Sequence, residues 1–408
     1  MSDTSERGTP AATGPIQSHS RALRIVHVIE GLHPNRGGPP VVAMSLAAAQ
    51  VRLGHDVTIV CEEPGSRPDG VDALIRFTRD GERVRIERVP IQRRFSSLHG
   101  TFRDVTKAFA TPPSLVHLHG VWNPIVMVGG RTAGQLKAPY VISTHGALHP
   151  DVLAIGALKK RAALALGRTR LLRNSRKVLC LNVEEEHSAN RIAGRVVGRI
   201  VAATLPNGVD LLSVASPAPG AFRNTFAPLH ARPYFVFFGR LDRVKGLDAL
   251  LDAYLLCRSA GSQADLVFVG PDWGEQAAIT AAAAAAGIGA HVHFAGALYD
   301  ERKYAALKDA IALVHRPRYE GFGLAVIEAM AVQTPGVIGE RCLLPVSGEA
   351  DGVVIVRGDA RAFAQAMLDI ETNPARREAL GAAATACVRE RFDWTAIAVA
   401  TLAAAGVA

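Results

Sequence analysis

The sequence predicts an α/β protein made of two doubly wound, Rossmann-like domains with parallel sheets and an interdomain cleft. Short apolar runs alternate with helical patterns along most of the chain, which is typical of parallel strands buried by helices on both faces. The chain has 408 residues, a length that suits two domains. The alternation restarts near residue 233, after a stretch rich in Pro, Ser and Gly.

The predicted strands divide between the two halves of the chain. They cover residues 24–30, 56–61, 83–90, 115–120, 140–146, 177–182, 234–240, 264–270, 291–296, 311–317 and 335–340. The predicted boundaries are a disordered tail (1–22), an N-terminal Rossmann-like domain (23–210), a linker (211–232), a C-terminal Rossmann-like domain (233–390) and a C-terminal helix (391–408) that can pack back on the N-terminal domain. In such tandem domains, ligands bind between the carboxyl ends of the strands.

Composition narrows the class of protein. Hydrophobic residues make up 49% of the chain, as in a soluble globular protein. The five cysteines are far apart and show no metal-binding spacing, so we expect free thiols in a reducing compartment. The first 22 residues have no apolar core of a secretory signal, and no run of apolar residues is long enough for a membrane span. We therefore expect a cytoplasmic protein.

The net charge of +9 is uneven, because residues 1–208 hold 28 Lys and Arg against 16 Asp and Glu. A basic half can bind nucleic acid, an anionic membrane or acidic substrates, but no nucleic-acid motif is present, so we expect no such partner. Segment 158–178 has eight basic residues, no acid, and Leu and Ala at helical spacing. It predicts a basic amphipathic helix on anionic lipid; a solvated helix face is the alternative.

The stretch GRLDRVKG follows a predicted strand and precedes a predicted helix. Arg240 and Lys245 lie on this turn, where backbone N–H groups and the helix dipole already favour an anion. Two cations held there could neutralise a diphosphate, with the Arg240 guanidinium binding two oxygens at once. The alternative is a solvated loop with two ordinary surface charges.

The stretch RYEGFGLAVIEAM places Glu320 in a loop and Glu328 inside the helix that follows. Glycines beside Glu320 let the backbone approach a ligand, and the free N–H groups of the helix start can face an anion. Glu320 could accept hydrogen bonds from sugar hydroxyls, and Glu328 could hold the paired hydroxyls of a ribose. Helix capping and solvent exposure are the alternatives for these two acids.

The N-terminal half supplies candidates for the opposite wall. Gly37 and Gly38 lie between the first strand and the first helix, where they allow close approach to phosphate or sugar; a simple turn is the alternative. His119 and His145 each end a predicted strand in a His-Gly pair. We expect them to contact sugar hydroxyls, with a structural role as the alternative. A metal site has no acidic partner or helical His spacing in its favour.

Together these segments resemble the family 4 (group 1) retaining glycosyltransferases of the GT-B fold. The resemblance rests on GRLDRVKG (239–246), YEGFGLAVIEAMA (319–331) with its E-x7-E spacing, LPNGVD (205–210), HVHFAGAL (291–298) and the Gly-Gly loop. The runs HGVWNP and STHGALHP followed by KKR resemble bacterial surface-polysaccharide sugar transferases. One departure is Arg316-Pro317, where the family often has Pro-Ser, and it predicts an added charge near the donor.

The resemblance implies a set of residue roles. Catalytic residues would be Glu320, His145, Arg240 and Lys245. Donor-binding residues would be Gly38, Gly239, Arg240, Lys245, Glu320, Gly321, Phe322, Gly323, Leu324, Glu328 and Leu298. His119 and Gly37 would contact the acceptor or the sugar.

The implied activity is retaining transfer of a hexose from GDP-mannose or a UDP-hexose to a hydroxyl of a glycan or lipid-linked acceptor. The implied setting is cell-surface polysaccharide or lipopolysaccharide synthesis, peripheral at the inner face of the bacterial cytoplasmic membrane. No metal or other cofactor is expected, because Arg240 and Lys245 would stabilise the leaving diphosphate. The alternatives are a sugar-nucleotide epimerase of the same fold and a catalytically silent sugar-nucleotide-binding protein.

Overall fold

The computed structural model describes residues 22–62, 69–89, 109, 112–193, 200–211, 214, 217–229 and 232–407. The predicted tail therefore lies outside the described residues, except for Ala22, and so does part of the predicted linker.

A seven-stranded parallel sheet forms the core of the N-terminal half. Its strand order is β3-β2-β1-β4-β5-β6-β7. The strands are β1 (Arg24–Ile29), β2 (Asp56–Glu62), β3 (Arg85–Val89), β4 (Leu115–His119), β5 (Tyr140–Ser143), β6 (Lys177–Cys180) and β7 (Ala202–Thr204).

A six-stranded parallel sheet forms the core of the C-terminal half, with the order β10-β9-β8-β11-β12-β13. Its strands are β8 (Tyr234–Phe238), β9 (Asp265–Val269), β10 (Val292–Gly296), β11 (Leu313–His315), β12 (Gly336–Gly339) and β13 (Val353–Val356).

Helices connect the strands on both faces of each sheet. In the N-terminal half they are α1 (Gly38–Arg52), α2 (Asp69–Phe77), α3 (Pro124–Gln135), α4 (Pro150–Ala154), α5 (Ala157–Ala163), α6 (Thr169–Asn174) and α7 (Val183–Ala193). In the C-terminal half they are α8 (Leu247–Ser259), α9 (Gln276–Ala285), α10 (Arg302–Lys308), α11 (Leu324–Ala331), α12 (Ala360–Thr372), α13 (Pro374–Arg391) and α14 (Trp394–Ala405).

Alternate residues of each central strand enter different cores. On β8, Tyr234 and Val236 pack into one apolar cluster, whereas Phe235 and Phe237 pack into another on the opposite face. All four side chains are fully buried. Because successive strand residues point to opposite faces, a continuously apolar strand requires cover on both sides. The structure thus confirms the predicted pair of doubly wound parallel sheets.

The strand orders decide where a ligand can bind. In the first sheet, β2 and β3 extend from β1 toward one edge, and β5, β6 and β7 extend from β4 toward the other edge. The second sheet has the same reversal of strand order between β8 and β11. At such a reversal, the loops after the two neighbouring strands turn to opposite faces of the sheet. A crevice therefore opens between these loops at the carboxyl edge of the sheet. The loops after β1, β8 and β11 carry the predicted Gly-Gly pair, the Arg240–Lys245 turn and Glu320.

The last two helices connect the halves. α13 packs beside α11 in the C-terminal half, and α14 packs along α1 in the N-terminal half. Trp394 and Ile397 of α14 share an apolar cluster with Val42 and Leu46 of α1. α14 lies within the segment 391–408 that was expected to form a C-terminal helix.

Several local expectations differ from the structure. β7 and β13 had no predicted counterpart, because runs of three or four residues give little pattern. The prediction of one basic helix over 158–178 is wrong. A π-type turn (Leu164–Arg168) separates α5 from α6, with Gly167 at φ 124°, and Lys177 already belongs to β6. In the described part of the chain, no helix has the length and apolar character to cross a membrane.

Candidate active site

A cleft of about 880 Å³ lies between the carboxyl edges of the two sheets, and both halves of the chain line it. Its size is within the range of small-molecule and cofactor sites. Asn182 of the N-terminal half donates a hydrogen bond of 2.8 Å to the Gly321 carbonyl of the C-terminal half. Tyr319 stacks on His149 across the same boundary, with 4.2 Å between ring centroids. The two walls are therefore in direct contact at the base of the cleft.

Arg240 and Lys245 both reach this cleft from the turn after β8. The Arg240 guanidinium lies 3.0 Å from an Asp242 carboxylate oxygen and 4.5 Å from the ring centroid of Trp273. Lys245 ends a short 3₁₀ turn and pairs with the carboxylate of Glu320. The predicted pair of cations is thus placed on one wall, each held by a carboxylate.

Glu320 is fixed by its backbone as well as by its side chain. Its N–H donates to the Arg341 carbonyl at 3.0 Å, and its own carbonyl accepts from the Leu343 N–H at 2.8 Å. Burial would raise the pKa of Glu320, but the Lys245 ammonium and a 3.3 Å contact with His315 Nε2 hold that pKa well below its usual value. Burial also lowers the pKa of His315. Glu320 is therefore an ionised acceptor and not a proton donor at neutral pH.

The start of α11 faces the cleft immediately after Glu320. Gly323 precedes the helix in a left-handed conformation, with φ 85°, and no side chain caps the first N–H groups. The Val326 N–H donates to the Gly323 carbonyl at 2.9 Å, whereas the N–H groups of Leu324 and Ala325 are available to an anionic ligand. The Phe322 ring is buried and packs edge-on against Phe392, at 5.8 Å between centroids. Phe322 therefore offers the cleft its backbone rather than its ring.

Glu328 lies on α11 and lines the same cleft. Its carboxylate pairs with Lys303 of α10 at 3.0 Å, and the exposed fractions of the two side chains are 13% and 18%. Burial would lower the pKa of Lys303, but Glu328 and Tyr304 hold it above its ordinary value. The solvated role considered for Glu328 is excluded, because its side chain is largely buried.

Gly37 and Gly38 bring the opposite wall against these groups. A Cβ on Gly37 would lie 3.4 Å from Arg240 Nε, and a Cβ on Gly38 would lie 2.9 Å from a Leu324 methyl group. Gly37 also has φ 95°, which side-chain-bearing residues rarely adopt. The two glycines therefore permit close contact between the loop after β1 and the two predicted anion-binding elements.

His145 lines the cleft from the loop after β5, in a left-handed conformation with φ 53°. The buried carboxylate of Glu185 holds this loop by accepting the Leu148 N–H at 3.0 Å. Burial lowers the pKa of His145 to about 4, so its imidazole is neutral at physiological pH. The ring can then offer a hydrogen-bond acceptor on one nitrogen and a donor on the other.

Two family models match the chain and together span both halves. The Glycosyl transferase 4-like domain matches residues 37–208, and Glycosyl transferases group 1 matches residues 222–386. The chain belongs to the family 4, group 1 glycosyltransferases.

Relatives of this glycosyltransferase include several mannosyltransferases. The phosphatidyl-myo-inositol mannosyltransferase of Mycobacterium leprae is 31% identical over 48% of this chain and 51% of its own length. The D-rhamnosyltransferase WbpZ of Pseudomonas aeruginosa also matches over about half of its length, 48%. The GDP-mannose:cellobiosyl-diphosphopolyprenol alpha-mannosyltransferase of Xanthomonas campestris is 25% identical over 91% of this chain and 93% of its own.

Solved structures agree on the fold. The Anabaena HepE structure with UDP and glucose has a TM-score of 0.76 at 18% identity, covering 95% of this glycosyltransferase and 100% of that chain. The sucrose-phosphate synthase of Thermosynechococcus elongatus has a TM-score of 0.69 at 21% identity, covering 93% and 97%. These likenesses confirm the GT-B fold expected from the sequence.

The structure brings together most of the residues that the sequence singled out in this glycosyltransferase. Lining the cleft are Gly37, Gly38, His145, Gly239, Arg240, Lys245, Leu298, Glu320, Gly321, Phe322, Gly323, Leu324 and Glu328. His119 is the exception. It is 3% exposed and lies behind His145, with its Nδ1 3.0 Å from His145 Nε2. The expected direct contact of His119 with a sugar or acceptor is therefore corrected, since another ring covers it.

Arg316 is a second correction. Its guanidinium lies 3.4 Å from the Ala249 carbonyl and 3.5 Å from the Gly358 carbonyl, and Arg316 does not line the cleft. The side chain leaves β11 toward α8, because successive residues of a strand point in opposite directions. The expected added charge near the donor is thus absent from the described cleft wall.

Lys303 is the main cleft residue that the sequence did not reveal. It lies in RKYAALK, an ordinary helical run, and pairs with a glutamate 25 positions later in the chain. An apolar patch on the N-terminal wall was also not expected. It consists of Val41, Leu74, Phe77, Trp122 and Val152, of which Phe77 is 48% exposed. Neither feature has a local sequence signal, since both depend on which helices face the cleft.

Proposed function

We propose that this glycosyltransferase moves a hexose from a nucleotide-diphosphate sugar to a hydroxyl of a glycan or lipid-linked acceptor, with retained configuration. The observation that carries the proposal is the convergence of Arg240, Lys245 and the free start of α11 on one wall of the cleft, opposite Gly37 and Gly38. Cationic side chains and helix N–H groups are the partners that a diphosphate prefers.

The leaving group gains negative charge as the bond from the sugar to the diphosphate breaks. Arg240, Lys245 and the α11 N–H groups would stabilise that charge where it develops, inside a cleft that limits water. Arg240 is held between Asp242 and Trp273, so little reorganisation is needed when the donor binds. These two cations supply what a metal ion supplies in other transferases, and we expect chelators to leave the activity unchanged.

Glu320 would position the donor sugar by accepting hydrogen bonds from its hydroxyls. Its low pKa and its contacts with Lys245 and His315 support an ionised acceptor role. The acceptor hydroxyl would attack from the face that the diphosphate leaves, so Glu320 forms no covalent bond to the sugar. Its neighbour Glu328, steadied by Lys303, would hold the ribose hydroxyls.

The donor is either GDP-mannose or a UDP-hexose. Near-full-length relatives from Xanthomonas campestris and Mycobacterium tuberculosis are named as GDP-mannose-dependent enzymes, which supports GDP-mannose as the first compound to test. The HepE structure, which contains UDP and glucose, keeps a UDP-hexose as the second.

The acceptor side of the cleft supports a lipid-linked substrate. Leu74, Phe77 and Val41 offer an apolar surface that a bare sugar would not need. The same two relatives are named for a diphosphopolyprenol acceptor and a phosphatidylinositol acceptor. Synthesis of a cell-surface polysaccharide or glycolipid is the role that fits such an acceptor.

The first experiment measures thermal unfolding with UDP, GDP, UDP-glucose and GDP-mannose. A ligand at 100 times its dissociation constant stabilises the native state by about 2.7 kcal/mol. We expect one base to stabilise the wild type and Lys245→Ala to lose most of that shift. Arg243→Ala is the matched control, because Arg243 lies on the same turn but is exposed and outside the cleft lining.

The nucleotide sugar that binds is then tested for transfer to lipid-linked and free glycan acceptors, with the anomeric configuration of the product read by NMR. Product with retained configuration supports the proposal. Inverted product, or an epimerised donor without any acceptor, would overturn it in favour of another activity.

We further propose that the basic face around residues 158–178 holds the protein on anionic membrane. Exposed Lys159, Arg161 and Arg170 accompany the exposed apolar side chains of Leu158 and Leu166, each 81% exposed. Arg170 also lines an adjoining groove of about 1310 Å³, together with the basic residues Arg131, Lys137, Arg168 and Arg176. Cations beside exposed leucines suit a surface that inserts shallowly among anionic lipids.

Sedimentation with vesicles of anionic and of zwitterionic lipid tests this attachment. We expect binding to anionic vesicles at low salt that weakens as salt rises. The double variant Lys159→Glu/Arg161→Glu should lose it. The double variant Arg361→Glu/Arg389→Glu makes the same change in net charge at exposed positions of the C-terminal half and should keep it. Equal loss in both would show that only net charge matters.

A further inference from the structure

A chain of buried hydrogen bonds runs from helix α1 to the cleft. The Oε1 atom of Gln50, on α1, lies 2.7 Å from His27 Nε2. His27 Nδ1 lies 2.8 Å from His119 Nε2, and His119 Nδ1 lies 3.0 Å from His145 Nε2. Gln50, His27 and His119 are almost completely buried, whereas His145 lines the cleft.

The direction of the hydrogens in this chain follows from its first member. An amide oxygen only accepts, so His27 carries its hydrogen on Nε2 and leaves Nδ1 as an acceptor. His119 must then donate from Nε2 and accept on Nδ1, and His145 must donate from Nε2. This leaves Nδ1 of His145 with a lone pair and no partner among the described residues.

We propose that Gln50, His27 and His119 are positioning residues that fix the tautomer of His145, so that its Nδ1 presents a lone pair to a sugar hydroxyl in the cleft. The identity of that ligand rests on the proposed function, whereas the tautomer itself does not. His145 then accepts a hydrogen bond from the hydroxyl and cannot donate one.

The chain requires each ring to be neutral, because a protonated imidazole has two donors and no acceptor. Burial lowers the pKa of His27 and of His145 to about 4, and it lowers the pKa of His119 well below its usual value. The three rings therefore keep one donor and one acceptor each throughout the physiological range.

His117 lies in the same buried cluster but outside the chain. It stacks on His119 with 4.4 Å between centroids, and its Nε2 contacts Ser143 Oγ at 2.8 Å. His117 thus provides a control for the effect of disturbing this region without breaking the chain. In the described residues, His27, His117 and His119 are also the one group whose spacing could hold a metal ion.

Nitrogen NMR of histidine-labelled protein tests the tautomer directly, because protonated and lone-pair ring nitrogens have distinct shifts. The His145 signals are assigned by their loss in His145→Asn. We expect a protonated Nε2 and a lone-pair Nδ1 in the wild type, and a mixture of tautomers in Gln50→Met. The opposite tautomer in the wild type, or no change in Gln50→Met, would overturn the proposal.

Gln50→Met should fold, because Gln50 Nε2 is buried without a partner and methionine has a similar shape. We expect its kcat to fall about tenfold, the value of one hydrogen bond, with the dissociation constant of the donor nucleotide unchanged. His117→Phe keeps the stacking and should retain both the tautomer and kcat. A fall in kcat that is equal in the two variants would indicate a structural role only.

The two proposals fail in different ways. If the wild type binds no nucleotide and transfers no sugar, the proposed function fails. The NMR experiment then still tests the His145 tautomer independently. If transfer occurs but the His145 tautomer is reversed, only the inference fails. One equivalent of zinc in the purified protein, lost in His117→Phe, would also overturn the chain, because the metal would occupy nitrogens that the hydrogen bonds need.

Discussion

The two walls of the cleft are built for different kinds of ligand. The C-terminal wall carries ion pairs, Lys245 with Glu320 and Lys303 with Glu328, together with Arg240. The N-terminal wall brings Gly37, a neutral His145 and an apolar patch around Phe77. One wall therefore suits a charged nucleotide-diphosphate, and the other suits uncharged hydroxyls and a lipid.

This difference predicts which kinetic parameter, kcat or KM, depends on which group of contacts. In the proposed mechanism, fixed charges on the C-terminal wall would act on a group whose charge changes during the reaction, so their loss should lower kcat. Apolar contacts around Phe77 on the N-terminal wall would act equally on the bound and the reacting substrate, so their loss should mainly change KM. Variants on each wall can test whether the division holds.

The largest effect is expected from the charged wall. Glu320→Gln should lower kcat by about 10²–10³-fold, the scale for losing one preorganised electrostatic contact. Mass spectrometry should detect no glycosyl-enzyme with a slow donor. Glu349→Gln is the control, since Glu349 is an exposed, ion-paired glutamate outside the cleft. A trapped adduct on Glu320 in the wild type would contradict the positioning role.

The contact between the walls should have the next largest effect. Gly37→Ala adds a methyl group 3.4 Å from Arg240 Nε at a backbone with φ 95°, and it should lower kcat/KM by about tenfold through a small displacement of Arg240. Gly54→Ala is a matched control, because Gly54 has φ 89° but nothing within 4 Å of the added atom. Both variants should lose free energy of unfolding, on the order of 1–3 kcal/mol for a side chain forced into a sparsely populated backbone conformation. Equal losses of activity would show that backbone strain alone is responsible.

The apolar patch should affect KM rather than kcat. Phe77→Ser should raise KM for a lipid-linked acceptor about five- to tenfold, because a half-exposed ring gives up about 1 kcal/mol of apolar burial. The same variant should leave nucleotide binding unchanged. Val399→Ser is the control, since Val399 is 49% exposed on α14, outside the cleft lining. An unchanged KM would argue against a lipid contact on this wall.

The last prediction concerns the stability of the folded protein and its dependence on pH. Glu320 has a lowered pKa in the folded protein, so its charge stabilises the native state above the unfolded pKa of about 4.3. That stabilisation is lost as the pH falls below this value toward the folded pKa. We expect wild type to exceed Glu320→Gln by about 1.5–3 kcal/mol at pH 7. Thermal melts of both proteins should converge as the solution becomes more acidic.

Much of the fold could be predicted because its signals are local. Continuous apolar strands such as β8 and helices such as α8 leave a clear pattern, and loops that follow parallel strands must share one edge of the sheet. Glu320 and Lys245 could therefore be assigned to the same cleft from the sequence alone. The short β7 and the break at Gly167 could not, because three residues or one glycine leave little periodicity.

The directions in which individual side chains point could not be predicted from the sequence. Arg316 and Glu320 follow the same strand, yet one points toward α8 and the other into the cleft. His119 ends its strand as predicted, but a neighbouring loop places His145 in front of it. Both outcomes depend on packing between segments that are distant in the sequence.

The sequence by itself determined the two parallel sheets and the loops that meet between them, because hydrophobic periodicity and chain order are local properties. Only the tertiary structure decided which charges pair across the cleft and which imidazole reaches it. His27 and His119 are 92 positions apart, and Lys303 and Glu328 are on different helices. Such partners are chosen by the packing of whole elements, which no local pattern records.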